Sequence, residues 1–359
     1  MPITTSTNTR KEKVLKEEIQ KGDIERIFTG FALEAQKQLT ASFKKQKKKV
    51  IVLAGPTAIG KSVLAMALAK KIGGEIIVAD SVQVYHGLDI GTAKPSISDR
   101  LEIPHHLVDI RDLDESFNVV DFYYEARMSC QKTLNRDNVP IVVGGTGFYL
   151  HALLFGPPNG PPPVPELRKT LFDECERLGA SALLERLKKL DPIYANSITK
   201  NDTQKIIRAL EIITLTGKTV SELSWKNRRV AKTYDFRCWF LHRPKGDLYK
   251  RIEDRCDFML LEGFLEEVKS LMDKGLKNNV SASQAIGYRQ AIEFFNTPQS
   301  KDDYAHFVTS FKQASRHYAK RQLTWFRKEP LFRWLDLSQQ SMEEALNVIL
   351  KDYDLDVSE

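Results

Sequence analysis

Cysteine is scarce in this chain and never paired. Cys130, Cys175, Cys238 and Cys256 are the only four in 359 residues. With no C-x-x-C pair and no metal-like spacing, a zinc ribbon or thioredoxin-type site is excluded, and reduced, buried thiols are expected. Long apolar runs are missing too, since none approaches the ~20 residues of a membrane helix. The first residues, MPITTSTNTRKEKVLKEEI, lack a secretory h-region, and their acids argue against a transit peptide, so a soluble cytoplasmic protein with no membrane partner is expected. A sustained excess of one charge is also absent. Residues 1–49 hold twelve Lys/Arg against six Asp/Glu, which accounts for nearly all of the net +7. The remainder is almost neutral, so a nucleic-acid surface there must be a local patch.

What is present has the rhythm of an α/β protein. Short β-like runs fall at residues 50–54, 75–79, 107–110 and 141–143. Helical stretches lie between them, such as VVDFYYEARMSCQKTL, where Val119, Phe122, Tyr123, Ala126, Cys130 and Leu134 share one face. Strands alternating with helices imply a parallel sheet. Six of the fifteen prolines crowd into residues 156–165, GPPNGPPPVP, which can continue neither a helix nor a central strand and so mark a boundary. From 166 to 223 the pattern is helical, with Leu171, Leu178, Leu183, Leu184 and Leu187 in amphipathic spacing. YDFRCWFL (234–241) returns as a strand, after which helices dominate to residue 328. The expected organisation is a basic extension (1–49), a P-loop core (50–156 with 234–335), a helical insertion (166–223), a helical C-terminal part and a tail (336–359).

The most specific local pattern is LAGPTAIGKS. It completes G-x-x-x-x-G-K-[ST] with Gly55, Gly60, Lys61 and Ser62, after an apolar run and before a helix-like stretch. Such a loop turns backbone N–H groups toward an anion at a helix N-terminus, while Lys61 adds charge and Ser62 can reach a magnesium ion. It binds a polyphosphate, but the motif does not say which. Asp80 ends the second β-run, where a carboxylate faces the ligand crevice of an open α/β sheet; capping of the next segment is the plainer use. IVVGGTGFYL places Gly144, Gly145, Thr146 and Gly147 at the same edge, either as a tight turn or as a wall of the same site. Arg251 and Arg255 stand i,i+4 on one helix face, suited to a diphosphate or to exposed ion pairs. Residues 310–328 hold six Lys/Arg, no acid, and Phe311, Tyr318, Trp325 and Phe326, a mixture that suits RNA or an ordinary surface helix with inward aromatics. On the RNA reading, Arg316 and Lys320 contact phosphate.

Taken together, GPTAIGKS, ADSVQVYHGLDIGTAKP, IPHHLVDI, VPIVVGGTGFYLHALL, DPIYANSITKNDTQKIIRALEI, TGKTVSEL, RIEDRCDFMLLEGFLEEV, QAIGYRQ and YAKRQLTWFRK resemble the tRNA dimethylallyltransferases, in order and across roughly 50–334. The resemblance implies transfer of a dimethylallyl group from dimethylallyl diphosphate to N6 of the adenosine directly 3′ of the anticodon, by a monomer that needs Mg²⁺. It implies that Asp80 is the general base, and that Thr146 and Arg255 hold the diphosphate with the loop Gly55, Pro56, Thr57, Ala58, Ile59, Gly60, Lys61 and Ser62. Matching segments that touch tRNA in the family are Asp80, Ser81, Val82 and Gln83; Gln204, Lys205, Ile206, Ile207 and Arg208; and Gln284, Ala285, Ile286, Gly287, Tyr288 and Arg289, with Arg168 in the family's PExR position. Lys205 departs from the usual Arg, which keeps the charge and loses the fork. No C2H2 finger follows the core, as in bacterial members, and the extension 1–49 has no counterpart.

Three other readings compete. A prenyltransferase acting on free adenine nucleotides would not need the helical insertion or QAIGYRQ. A P-loop kinase or NTPase would need a second metal-binding Asp on an apolar strand, which is not found. A nucleic-acid binding protein with a vestigial loop would have no use for Asp80, Thr146 and Arg255.

Overall fold

The run KKVIVLA forms the first strand, β1 (Lys48–Ala54), and its last five residues are buried. A strand covered on both faces is apolar throughout, the signature of a parallel sheet under helices. The computed structural model describes residues 48–223 and 233–354, so the basic extension up to residue 47 lies outside the described residues. Helix α1 (Lys61–Ile72) follows the loop and stops at Gly73, whose φ of 63° is a left-handed cap. Then come β2 (Gly74–Ala79), α2 (Ile97–Glu102), β3 (His105–His106), α3 (Val119–Asn135), β4 (Val139–Gly144) and α4 (Gly147–Phe155). Helix α3 opens with a capping box between Asn118 and Asp121 and buries Phe122, Ala126 and Cys130, as its periodicity predicts.

After the proline run, α5 (Pro165–Leu178), α6 (Ala180–Leu190), α7 (Pro192–Ala195) and α8 (Thr203–Thr216) close around a core of their own. Leu171, Leu183, Leu184, Leu187, Ile206, Ile207 and Leu210 form it, separate from the core under the sheet. Leu178, expected on the same stripe, is instead half exposed at the end of α5. The chain returns as β5 (Tyr234–His242), α9 (Lys245–Leu261), α10 (Phe264–Asp273), a 3₁₀ turn (Leu276–Asn278), α11 (Val280–Ser283), α12 (Tyr288–Phe295) and the 26-residue α13 (Lys301–Phe326). It ends with β6 (Arg333–Asp336) and α14 (Met342–Asp354).

The six strands lie in the order β3-β2-β4-β1-β5-β6, and the β1–β4, β2–β3, β2–β4 and β5–β6 ladders are parallel. Register then places the site. Gly144 of β4 sits opposite Ala54 of β1 on one side and Ala79 of β2 on the other. The residues that follow, Gly55, Gly145 and Asp80, therefore emerge side by side at one edge, with Gly55 and Asp80 two strand spacings apart, about 10 Å.

Two stretches differ from the sequence reading. The β-run at 107–110 is not a strand: β3 is only two residues long, because Leu107 (φ 65°) and Asp109 (φ 52°) take left-handed conformations that end the ladder. The tail from 336 contains α14, which sends Ala345, Leu346 and Ile349 into the main core. Asp352 of α14 accepts hydrogen bonds from Arg237, Trp239 and Arg333. At the opposite end of β2 from Asp80, the buried Glu75 accepts from Arg136, Asn138 and Thr133 and meets His106 Nε2 at 2.6 Å. Cys130, Cys238 and Cys256 are buried as expected, and Cys175 is partly exposed.

Candidate active site

The loop after β1 is wound by backbone as much as by side chains. Gly60 has φ of 105° and Ala58 φ of 62°, so amides of neighbouring residues converge toward the start of α1. Lys61 Nζ curls back to donate to the carbonyls of Gly55 at 2.9 Å and Pro56 at 2.8 Å. Burial, and next the charge of Arg255, pull the Lys61 ammonium down to about 7, with Asp80 opposing. A cavity of about 410 Å³ opens over Gly60, Lys61 and Ser62, and Arg251, Asp254 and Arg255 of α9 form its other wall. Arg251 Nε is tied to Ala58 O at 3.0 Å. The i,i+4 arginine pair thus faces the phosphate loop.

Arg255 also lines a second cavity, of about 320 Å³, together with Thr57, Asp80, Tyr318 and Arg321 at its polar end. Ile252, Cys256 and Met259 of α9 and Phe311 of α13 make its apolar wall, with the Ser315 hydroxyl donating to Phe311 O beside them. The two helices run antiparallel here, pinned by Arg316–Glu253 at 2.5 Å and Lys312–Asp257 at 2.6 Å. Asp80 does both things its position allows. Its Oδ1 caps the next turn, accepting from Val82 N at 2.8 Å and Gln83 N at 3.2 Å, while Oδ2 has no hydrogen bond among the described residues. Tyr318 lies close by. Its hydroxyl is pushed up to about 12, first by burial and then by the charge of Asp80, with Thr146 and Gln322 opposing. Burial likewise lowers Arg255, again opposed by the charge of Asp80. Thr146, at the N-terminus of α4, has its hydroxyl buried at this same edge.

Loop, strand-end acid and arginine are therefore brought together; Thr146, its hydroxyl buried at the same edge, is not among the residues lining either cavity, and the acceptor-facing segments are brought only in part. Ser81, Val82, Gln284, Ala285 and Ile286 line the second cavity. Gln83 Nε2 donates to Thr92 O at 3.0 Å, the carbonyl that Arg255 Nη2 also approaches at 3.4 Å. Gln204, Lys205 and Arg289 are exposed, Lys205 beside Asp202 at 2.5 Å. Ile206 and Ile207 are a correction: both are fully buried in the insertion's own core, so their side chains cannot meet RNA. Gly287 is buried; Tyr288, at 0% exposure, packs in the main core and also lines the second cavity, so it differs from the two isoleucines. Arg168 and Arg208 both turn onto the buried Glu211 at 2.6 Å, and Arg208 also donates to Pro161 O at 2.6 Å. Arg208 fastens the proline run to α8, and Arg168 fastens α5 to the same helix. Arg316 is taken up by Glu253, whereas Lys320 is exposed and has no ion-pair partner among the described residues.

Sequence reasoning missed three groups. Glu267 accepts from the amides of Asp89, Ile90 and Gly91 and from the Tyr288 hydroxyl, latching the loop that carries Thr92. Tyr318 and Gln322 come from the run read for its charge. Tyr318 stands out in the sequence only as one of the aromatics of that run, and no local signal marks Gln322 or the hold of Glu267 on residues 89–91, which act across long sequence separations. A metal would find no cage of three or more His, Cys, Asp or Glu among the described residues. The exposed Ser62 beside the anion loop suits a magnesium ion whose other ligands are phosphate oxygens and water.

Residues 83–329 match the family model described as IPP transferase. The chain is 63% identical over 333 residues to the tRNA dimethylallyltransferase of Protochlamydia amoebophila, covering 93% of this chain and 97% of the relative. It is 48% identical to that of Chlamydia pneumoniae, over 89% and 93% of the two chains. Among solved structures, the full-length tRNA isopentenylpyrophosphate transferase from Bacillus halodurans aligns with a TM-score of 0.60 at 36% identity, covering 85% and 96%. A eukaryotic dimethylallyltransferase described as acting on tRNA aligns with a TM-score of 0.69 at 28% identity, covering 87% and 81%.

Proposed function

Because the chain belongs to the IPP transferase family and is a tRNA-directed prenyltransferase, we propose that its donor is dimethylallyl diphosphate, held by the phosphate loop, and that Asp80 is the base that frees the acceptor amine. The observation that carries this reading is the position of Arg255. It lines both cavities, so the anion cradle and the half-apolar chamber containing Asp80 share a wall. A diphosphate in the cradle directs a short allylic chain into that chamber, where Ile252, Cys256 and Met259 shelter it from water.

The chemistry follows from these placements. The adenine N6 lone pair is delocalised into the ring, so removal of its proton during attack is worth ~10²–10⁴-fold. Asp80 Oδ2 takes that proton as N6 bonds to the allylic carbon and the carbon–oxygen bond to the diphosphate breaks. Charge grows on the departing diphosphate, where Lys61, Arg255, the loop amides and the Thr146 hydroxyl oppose it; loss of one such donor costs on the order of 10²–10³ in rate. Mg²⁺, bound through Ser62 and phosphate oxygens, would supply further countercharge. The target base must leave the anticodon-loop stack to reach the chamber, at a few kcal/mol. The helices at 166–223 are proposed to hold the RNA through exposed positions such as Gln204 and Lys205.

The test is incubation of the purified protein with labelled dimethylallyl diphosphate and Mg²⁺ together with tRNA or AMP, followed by nucleoside mass analysis. Prenylated adenosine in the tRNA digest, with diphosphate released only when both substrates are present, is expected. Label transferred to AMP alone would instead support the free-nucleotide reading.

A further inference from the structure

The phosphate loop and the Thr146 turn follow different strands, β1 and β4, and a single side chain from a distant helix joins them. Gln322 of α13 is 5% exposed. Its Nε2 donates to Gly145 O at 2.9 Å, and its Oε1 accepts from Thr57 N at 3.1 Å. The orientation of the amide is unique, because a carbonyl only accepts and a backbone N–H only donates. The contact is also close: a Cβ on Gly145 would lie 2.1 Å from Gln322 Nε2, so a side chain there would expel the amide. The second glycine of GGTG is explained by this approach.

We propose that Gln322 is a positioning residue for the transfer reaction, holding the phosphate loop and the Thr146 turn in register so that Thr146 and Lys61 address the same diphosphate. Three features support a positioning role beyond filling space. Gln322 consumes the Thr57 amide, which fixes which loop amides remain for phosphate. Its backbone belongs to a 26-residue helix that is anchored one turn later by Phe326 against Phe240, with ring centroids 4.7 Å apart. Tyr318, one turn earlier on the same face, has Asp80, Thr146, Arg321 and Gln322 as its polar neighbours. The helix that walls the chamber thereby also sets the spacing of the two anion-binding loops. This inference rests on the reading of Thr146 as a diphosphate contact.

The experiment is a double-mutant cycle on the full chain with Gln322→Met, Thr146→Ala and the double variant. Steady-state kinetics are measured for both substrates, with tRNA affinity and thermal unfolding alongside. Displacing the reacting groups by about an ångström can cost on the order of 10²-fold. Gln322→Met is therefore expected to lower kcat/KM for the donor by roughly 10- to 100-fold while tRNA affinity stays within about twofold. The double variant is expected to be little worse than Thr146→Ala, because coupled residues are not additive. A merely structural role would lower thermal stability and leave the donor and acceptor parameters of the folded enzyme alike. Should Gln322→Met fail to fold, Gln322→Asn, which keeps a buried amide too short to span both loops, replaces it in the cycle. Additive losses, or a folded Gln322 variant with donor kcat/KM within about twofold of wild type, overturn the proposal while leaving Thr146 in its role. A fully active Thr146→Ala enzyme overturns the reading of Thr146 and this proposal with it.

Discussion

Replacing Lys61 by Arg separates charge from proton linkage at the phosphate loop. In the free protein the Lys61 ammonium sits at about 7, against an ordinary 10.5, because it is buried and lies near Arg255. A diphosphate in the loop adds negative charge, which favours the ammonium and raises its pKa again. The sign is therefore proton uptake on donor binding, at any pH between the free and bound values. At pH 8, one unit above the free value, about nine-tenths of the free enzyme has a neutral Lys61, so binding takes up roughly 0.9 proton; at pH 6 the figure falls to about 0.1. Titration calorimetry of dimethylallyl diphosphate without tRNA, repeated in buffers of different ionisation enthalpy, reads this number as a slope. Lys61→Arg stays charged throughout. The difference between the two proteins cancels the donor's own ionisation and isolates Lys61. A wild-type slope at pH 8 equal to that of Lys61→Arg, with donor binding measurable in both, would refute the reasoning.

Two further outcomes follow from the charge map. Glu75 is held at about 2 against an ordinary 4.5, since its hydrogen bonds from Arg136, Asn138, His106 and Thr133 outweigh the cost of burial. A depressed carboxylate stabilises the fold above its unfolded pKa and loses that contribution as pH falls from about 4.5 through 2. With allowance for the half-exposed Arg136, this is on the order of 2 kcal/mol. Denaturant unfolding should show it in wild type and not in Glu75→Gln, and identical pH profiles would remove the effect. For RNA, Lys320→Ala should weaken tRNA binding and reduce the salt slope by about one, whereas Arg316→Ala, already engaged by Glu253, should leave the slope unchanged. Equal slopes for the two variants would show that the internal ion pair does not withhold Arg316.

The parts legible in the sequence were those written locally. The loop from Gly55 to Ser62, Asp80 at a strand end and the turn around Thr146 each carry their own signal, and parallel register brings them to one edge. The 310–328 run was ambiguous because charge and aromatics occupy the same helix. Packing decides for the aromatics: Phe311 is buried against Phe264 and Phe307, and Phe326 against Phe240 and Phe332. Only the cations on the outer face, such as Lys320, are left exposed for the proposed RNA contact. Ile206 and Ile207 lie within a segment for which the resemblance implied RNA contact, and a linear motif does not distinguish the face of a helix that touches a ligand from the face that packs beneath it. Gln322 and Glu267 were out of reach for another reason. The partners of Gln322, and the loop amides that Glu267 holds, lie more than 170 residues away in sequence, so only the folded chain shows what they hold.

The most direct test of the account is single-turnover prenyl transfer by Asp80→Asn, with saturating dimethylallyl diphosphate and tRNA and with binding of each substrate measured separately. The variant keeps the volume of the side chain and can still cap Val82 and Gln83 through its amide oxygen, while the second carboxylate oxygen, the proposed base, is replaced by a non-basic amide nitrogen. The account predicts a fall of roughly two to four orders of magnitude in the rate of N6-prenyladenosine formation, with little change in either affinity. A rate within a few-fold of wild type, with chemistry shown to be the step observed, would contradict it.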